Sequence, residues 1–508
     1  MVISTREMRI LETNSIGLGI PLRMLMEAAG KNVADYIASR LSPEEAGRVV
    51  VMFGKGGNGG DGLVAARYLS RLGYCVELLP AYPLEAIGHP DTRANLDIVL
   101  RLESIKMHKY GNVDVIDGAG VIVEALLGTG VRGKLRGIIK DYVEKANSID
   151  ARLKVAIDTP TGLNPDTGEI HGIAFKADAT VTMHDIKPGL LKNREYVGEI
   201  IVANIGIPPD AWLFVGPGDV VHGIPGKPKG AHKGMGGRVL VVGGSRYYTG
   251  APALAGVAAL AVGADLSFVI VPETIRGVIA SYTPEIITAT VPGDHFKPRD
   301  LEILEKYVAE FRPHTIVFGN GLGRDPETIE FAMEFIKWVV NRRIPIVIDA
   351  DGLKGIIYGE MKLAWKAIVT PHRGEFKALT GEALKGDPWS DIEKLIEASK
   401  ALETTILLKA PVDVIVYGDS YRFNRTGNQG MTIGGTGDVL AGIAGAIYAR
   451  TNDPFESASI AAYLNGLAGD YIYYIDKDNP SPTRIIEVLS KIINNVLDIH
   501  LTTYGIEL

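Results

Sequence analysis

The chain has a single cysteine, Cys75, and a single glutamine, Gln429, among 508 residues. One cysteine cannot close an internal disulfide, and it excludes a zinc centre built from several thiolates. Set in Tyr74-Cys75-Val76, it is expected to be a small buried apolar residue. The scarcity of a thermolabile amide suits a heat-adapted chain. Excess positive charge is missing too. Against 60 Asp+Glu there are only 53 Lys+Arg, a net charge of -7, which argues against a nucleic-acid backbone as partner. Long hydrophobic runs are also lacking. The longest, Ala251 to Ala264, has 14 residues, mostly Ala and Gly, too few and too weakly apolar to span a bilayer. The N-terminus is charged by Arg6 and Glu7 and has no secretory apolar core. A cytoplasmic location with no membrane partner is therefore expected.

What is present is a globular composition, with 46% hydrophobic and 22% charged residues. The length exceeds one ordinary core, so two domains are expected. Gly, Pro and Lys crowd the stretch from Gly216 to Gly237, where helix and strand periodicity both fail. The boundary is placed near residues 210–225, dividing 1–215 from 216–508. On both sides short β-branched runs alternate with helical patterns. Strands are predicted at Arg48–Phe53, Val121–Ala125, Lys154–Ile157, Thr180–Met183 and Ile200–Ala203. Further strands are predicted at Arg238–Val242, Leu266–Val271, Thr315–Phe318, Ile344–Ile348 and Ile406–Leu408. Near-continuous apolar strands between helices mean an α/β protein, each domain a mostly parallel sheet flanked by helices. Ligands of such sheets bind beyond the carboxyl ends of the strands.

The unusual motifs begin where predicted strands stop. In the first half, Gly54-Lys55-Gly56-Gly57-Asn58-Gly59-Gly60-Asp61-Gly62 is expected to be a loop ahead of a helix from about Leu63 to Leu72. Its glycines would let backbone amides approach a ligand such as a phosphate. The spacing is neither a GxGxxG fingerprint nor a Walker loop; a tight strand-to-helix turn is the plainer alternative. Glu124 to Lys134 follows a second strand, with Arg132 and Lys134 available to an anion. Asp158-Thr159-Pro160-Thr161-Gly162 follows a third and makes Asp158 a candidate acid/base.

In the second half, Gly434-Gly435-Thr436-Gly437-Asp438 runs into an apolar helix, which aims free amides and the helix dipole at an anion. A carboxylate there repels a bare phosphate. It makes sense if Asp438 meets a substrate hydroxyl beside a phosphoryl group, as base or orienting group. Otherwise Asp438 is an ordinary N-cap. Other strand ends read Gly319 to Gly323, Asp349 to Leu353, Thr370 to Glu375 and Lys409 to Asp413. His372 is favoured as a ligand contact. Asp349 and Asp351 either bind substrate or cap a helix, and Glu375 either begins a helix or holds a hydrated cation.

The motifs NGGDG at 58–62, ALLGTG at 125–130 and DxPxG at 158–162 resemble the NAD(P)H-hydrate epimerases over residues 1–210, a Rossmann-like domain. The resemblance implies exchange of the R and S epimers of hydrated nicotinamide cofactors. It implies K+ held by Asn58, Glu124 and Thr161, although many relatives carry Asp and Ser at the last two positions. It implies hydrate contacts from Gly59, Gly60, Asp61, Gly62, Gly128, Thr129, Gly130, Val131, Arg132, Gly133, Lys134 and Asp158. The ordered set GRVLVVGGS, TGAPALA, GNGLG, DADGL, TPHRGE, KAPVD and GGTGD resembles the ribokinase-like ADP-dependent (S)-NAD(P)H-hydrate dehydratases over 225–508. By that resemblance Asp438 is the catalytic carboxylate, and Ala253, Gly323, His372 and Asp438 meet the hydrate. Lys409, Ala410, Pro411, Val412, Asp413, Gly434, Gly435, Thr436 and Gly437 meet ADP, with Mg2+ screening its phosphates. The implied substrates are NADHX or NADPHX with ADP, and alanine-rich helices suit a homo-oligomer. Two other readings stand beside this one: another ribokinase-like kinase for a small alcohol or vitamin precursor, and a nucleotide-binding module with a sensor domain.

Overall fold

The computed structural model describes residues 2–128, 130, 133–227, 229–230 and 232–508. Two compact units divide between Pro208 and Pro209. The segment from Pro209 to Val215 goes with the second unit, because the Val215 amide bonds the Phe423 carbonyl and Arg422 donates to the Trp212 and Phe214 carbonyls. The expected boundary at 215/216 follows this segment; the observed division precedes it.

The first unit holds seven strands: β1 (Arg48–Phe53), β2 (Cys75–Pro80), β3 (Ile105–Met107), β4 (Val121–Ala125), β5 (Leu153–Ile157), β6 (Ala179–Met183) and β7 (Glu199–Ala203). They form one parallel sheet in the order β3-β2-β1-β4-β5-β6-β7. Central strands are buried on both faces, and β1 from Val49 onward is inaccessible to solvent or nearly so. Burying each such side chain contributes roughly 1.5–3 kcal/mol, which is why an unbroken apolar run serves better here than an alternating one. Cys75, expected to be buried, is exposed at the start of β2.

The second unit holds nine strands: β8 (Arg238–Val242), β9 (Leu266–Pro272), β10 (Ile287–Val291), β11 (Thr315–Phe318), β12 (Ile346–Ile348), β13 (Ala367–Val369), β14 (Thr405–Leu408), β15 (Asp413–Tyr417) and β16 (Ser420–Asn424). Their order is β10-β9-β8-β11-β12-β13-β14-β15-β16. The ladder is parallel through β14, and β15 and β16 add an antiparallel hairpin. Apolar clusters line both faces, one formed largely with the helices Gly250–Ala261, Thr436–Thr451 and Pro454–Asp470, the other with Leu301–Phe311 and Pro326–Asn341. The expected α/β layout, a mostly parallel sheet flanked by helices in each unit, is the one observed. No described helix is long and apolar enough to cross a membrane.

In both sheets the strand order reverses at one gap, between β1 and β4 and between β8 and β11. Crossovers leave in opposite directions there, so a crevice opens at the carboxyl ends. Both crevices are made the same way. A Cβ on Gly54 would sit 1.8 Å from the Leu126 carbonyl oxygen, and one on Gly243 would sit 2.4 Å from that of Asn320. Only glycine lets the paired loops touch.

Candidate functional site

In the first unit the helix Gly57–Arg71 starts inside the glycine run, six residues before its expected start at Leu63. The NGGDG segment is thus the first helical turn, not a loop. Its glycines serve close packing: a Cβ on Gly59 would lie 2.1 Å from the Gly54 carbonyl oxygen, on Gly60 2.5 Å from Met26, and on Gly62 2.6 Å from the Ala125 Cβ. Gly59, Gly60 and Gly62 thus pack against the protein on the side a Cβ would occupy, and none of them is in the lining of the crevice cavity. Asn58 and Asp61, from the same turn, do line the crevice, a cavity of about 480 Å³. Gly128, Gly130, Asp158, Glu12, Arg9, Lys55 and Lys187 line it too. Gly133 and Lys134 are exposed and lie outside that lining. Thr129, Val131 and Arg132 lie outside the described residues.

Asp158 sits at φ 61°, a left-handed conformation uncommon for a non-glycine residue. The turn aims its Oδ1 at the fully buried Lys187, whose Nζ donates at 2.6 Å, while the Met183 amide donates at 3.2 Å. Lys187 also donates to the Met183 carbonyl at 2.8 Å. A buried ammonium needs such a partner, and the Asp158 carboxylate serves as its counter-ion. Sequence reasoning missed Lys187; nothing local marks a lysine 29 residues downstream as its partner.

Behind the crevice, Glu124 is wholly buried. It accepts from the Leu126 amide at 2.8 Å, the Thr161 hydroxyl at 2.7 Å and the Thr161 amide at 2.9 Å. Burial pushes its pKa up to about 7, although these donors pull the other way. Next to this loop, with its Cβ 3.4 Å from where one on Gly128 would be, lies Asn58. Both polar side-chain atoms of Asn58 are buried without a hydrogen-bond partner. The orphaned Asn58 amide and the buried Glu124 carboxyl are oxygen groups of the kind that could hold a cation.

The second unit's crevice is built on the helix Thr436–Thr451. Gly435 precedes it at φ +104°, and a Cβ there would meet Leu254 and Pro482, both at 2.9 Å. Ala253 is buried, so its neighbour Leu254 meets the glycine loop instead. The Thr436 hydroxyl donates back to the Met431 and Ile433 carbonyls and fixes the loop. Gly434 faces open space, and a Cβ on Gly437 would stand 3.5 Å from Lys409 Nζ. The loop is tied down from behind by buried Asp470, which accepts from the Gly427 amide at 2.8 Å, Asn428 at 2.9 Å and Tyr504 at 2.6 Å.

Asp438 lies in the helix's first turn. Its carboxylate accepts from Asn320 Nδ2 at 2.7 Å, and the same nitrogen reaches Asp349 Oδ2 at 3.1 Å. Burial raises its pKa to about 6; Asn320 and Lys409 oppose this, while Asp349 and Asp351 add to it. Among the described residues it forms no ion pair. Asp349 is instead the ionic hub, accepting from Lys409 at 2.7 Å and Thr370 at 2.6 Å. Burial works against the charge on Lys409, but Asp349 and Glu375 outweigh it and hold its pKa above the ordinary value. Asp351 accepts from the Gly323 amide at 2.9 Å, which places Gly323 at the same edge. Asn320, between two glycines at a strand end, is the group sequence reasoning passed over; that setting was its only signal.

Other predicted residues have different surroundings. His372 caps the helix Arg373–Thr380, its Nδ1 accepting from the Gly374 and Glu375 amides, with the rest of the ring exposed. Asp413 accepts from the Ala410 amide at 3.0 Å and Asn424 at 3.0 Å, so its carboxylate supports the turn and is not offered to a ligand. Ala410, Pro411 and Val412 line a small cavity of about 90 Å³.

Two doubly covered α/β units, each with a polar centre at its topological switch point, have the make-up of a fused pair of α/β enzymes. The family described as NAD(P)H-hydrate dehydratase matches residues 239–491, and the one described as YjeF-related protein N-terminus matches 22–189. The bifunctional NAD(P)H-hydrate repair enzyme Nnr of Hyperthermus butylicus is 41% identical over 98% of this chain and 93% of its own length. That of Archaeoglobus fulgidus is 41% identical over 97% and 98%. A crystal structure of ADP/ATP-dependent NAD(P)H-hydrate dehydratase from Bacillus subtilis, co-crystallised with ATP/Mg2+, is 26% identical over 56% of this chain and 98% of that one, with a TM-score of 0.47. The chain belongs to the family of bifunctional NAD(P)H-hydrate repair enzymes.

Proposed function

We propose that the first unit interconverts the R and S epimers of hydrated NADH and NADPH. The second unit dehydrates the S epimer with ADP and releases reduced cofactor, AMP and phosphate. The observation that carries this reading is Asp438, held by Asn320 and in no ion pair among the described residues, at the start of a glycine-led helix and near the Lys409–Asp349 pair, in a chain similar to such enzymes over nearly its whole length.

Hydroxide leaves carbon poorly; phosphate leaves far better. Asp438 takes the proton of the hydrate's hydroxyl as that oxygen attacks the terminal phosphoryl group. A pKa near 6 makes it a stronger base than an ordinary carboxylate, yet still charged at neutral pH. The amides of Gly434 to Gly437 and the Lys409 ammonium receive the growing negative charge. Phosphate then departs with help from the ring nitrogen. Magnesium, when bound, screens the phosphates. Glu375, whose side chain is 26% exposed and whose Oε2 accepts from the His372 amide, would offer it an oxygen from this edge. In the first unit the orphaned Asn58, with Glu124 and Thr161, suits K+, which would neutralise the buried carboxylate. The test is to supply both epimers with ADP or ATP and follow reduced nicotinamide. Complete conversion supports both activities; release of a stable phosphoester would instead mark a kinase.

A further inference from the structure

We infer that Glu12, on the N-terminal helix Thr5–Gly17, is a catalytic proton acceptor of the epimerisation cleft, acting with Asp61, from another element lining the same cleft, as its proton-donating counterpart. The inference rests on the epimerase reading of the first unit.

The cleft of about 480 Å³ is lined by three carboxyl groups, Glu12, Asp61 and Asp158, that come from three separate elements. They are not equivalent. Asp158 is bound to Lys187 and the Met183 amide. No hydrogen bond or ion pair to Glu12 or Asp61 is found among the described residues. Asn58, unpartnered and 9% exposed, opens on the same space and marks it as a place where polar groups await a ligand. The charged groups that face Glu12 are Arg9 on its own helix, Asp61 on Gly57–Arg71, Asp158 after β5 and Lys187 after β6. Lys55 and His89 stand on the same lining.

Burial, then the nearby Asp158, push the Glu12 pKa up to about 7, with Lys187 and Arg9 opposing. Burial, then Asp158 and Glu12, push that of Asp61 well above the carboxylate range. Asp61 thus favours its protonated form while Glu12 can carry charge near neutral pH, the two states that an acid and a base need.

The chemistry balances with one proton given and one taken. Asp61 donates its proton to the hydroxyl on the ring carbon next to nitrogen. The C–O bond breaks, water leaves, and the nitrogen lone pair forms a C=N bond. Water then adds to the other face, a new C–O bond forms, the C=N pair returns to nitrogen, and Glu12 takes the extra proton. Nothing is oxidised or reduced. Reaction from the other epimer exchanges the two roles. Asp158 positions Lys187 and keeps the cleft's charge near balance.

The test uses the full chain and one purified epimer without nucleotide, following formation of the other epimer by chromatography. Glu12→Gln keeps the shape of the side chain and removes its ability to take a proton. It should slow interconversion at least ~100-fold, with KM little changed. Glu12→Asp should recover part of the rate. The wild-type rate should titrate near pH 7, and that limb should vanish in Glu12→Gln. A Glu12→Gln protein with the wild-type rate and the same limb overturns the assignment. So does loss of rate in Glu12→Gln alongside a wild-type profile flat through neutral pH. Wild-type protein that does not interconvert the epimers at all overturns the epimerase reading itself.

Discussion

Asp438 and Asn320 show how much one donated hydrogen bond can set. Asp438 must be charged to act as base, so dehydration should fall as pH drops through about 6, the value to which burial lifts its pKa. The Asn320 amide holds that value down. Asn320→Ala should therefore move the acid limb of the pH–rate profile upward; a limb that stays in place would separate Asn320 from the base. Asp438→Asn should lose dehydration by at least ~100-fold while ADP binding, read by calorimetry, persists. The sequence pointed to Asp438 because glycines, a small-residue helix and a carboxylate form one local pattern. It could not reveal Asn320, Lys187 or Asp470, whose roles depend on partners 118, 29 and 43 residues away. It also placed Asp413 among the nucleotide contacts because it follows a strand end. Only the fold shows its oxygens turned to Ala410 and Asn424.

At the scale of elements, the central strands were readable to the residue: Arg48–Phe53, Val121–Ala125, Arg238–Val242 and Thr315–Phe318 are as predicted. Burial on both faces turns such strands into unbroken apolar runs. The edges are harder to read. β3 has three residues with a mixed exposure pattern, β10 is half exposed, and the β15–β16 hairpin follows no crossover helix. The glycine run misled for another reason. Glycine is a poor helix former, so Gly57 reads as loop, yet packing against β1 and β4 outweighs propensity. The alanine-rich helix Gly250–Ala261 is close-packed as its composition allows, with the Ala255 carbonyl 2.2 Å from where a Cβ on Gly442 would be. Gly442→Ala should thus cost about 1–3 kcal/mol. Thermal unfolding should show the second unit melting earlier; an unchanged transition would mean the helices can part without penalty.

For the whole molecule, the epimer that one activity makes and the other uses links the two. The wild-type chain, given both epimers and ADP, should convert all of the hydrate. Asp158→Asn leaves Lys187 buried without its counter-ion and should stop interconversion, so conversion should stall once the S form is gone. Full conversion by Asp158→Asn would show that the first crevice works without that ion pair. Adding wild-type protein to the stalled mixture should restart it.

The glycine contacts at the two switch points, Gly54 on Leu126 and Gly243 on Asn320, also bear on how such proteins can be re-equipped. Each crevice floor is a seam between two chain segments that fit only as a matched pair. A designer who grafts a new segment after β1 or β8 must carry its companion along, because an exchange of one side alone lifts the seam and misaims everything mounted on it.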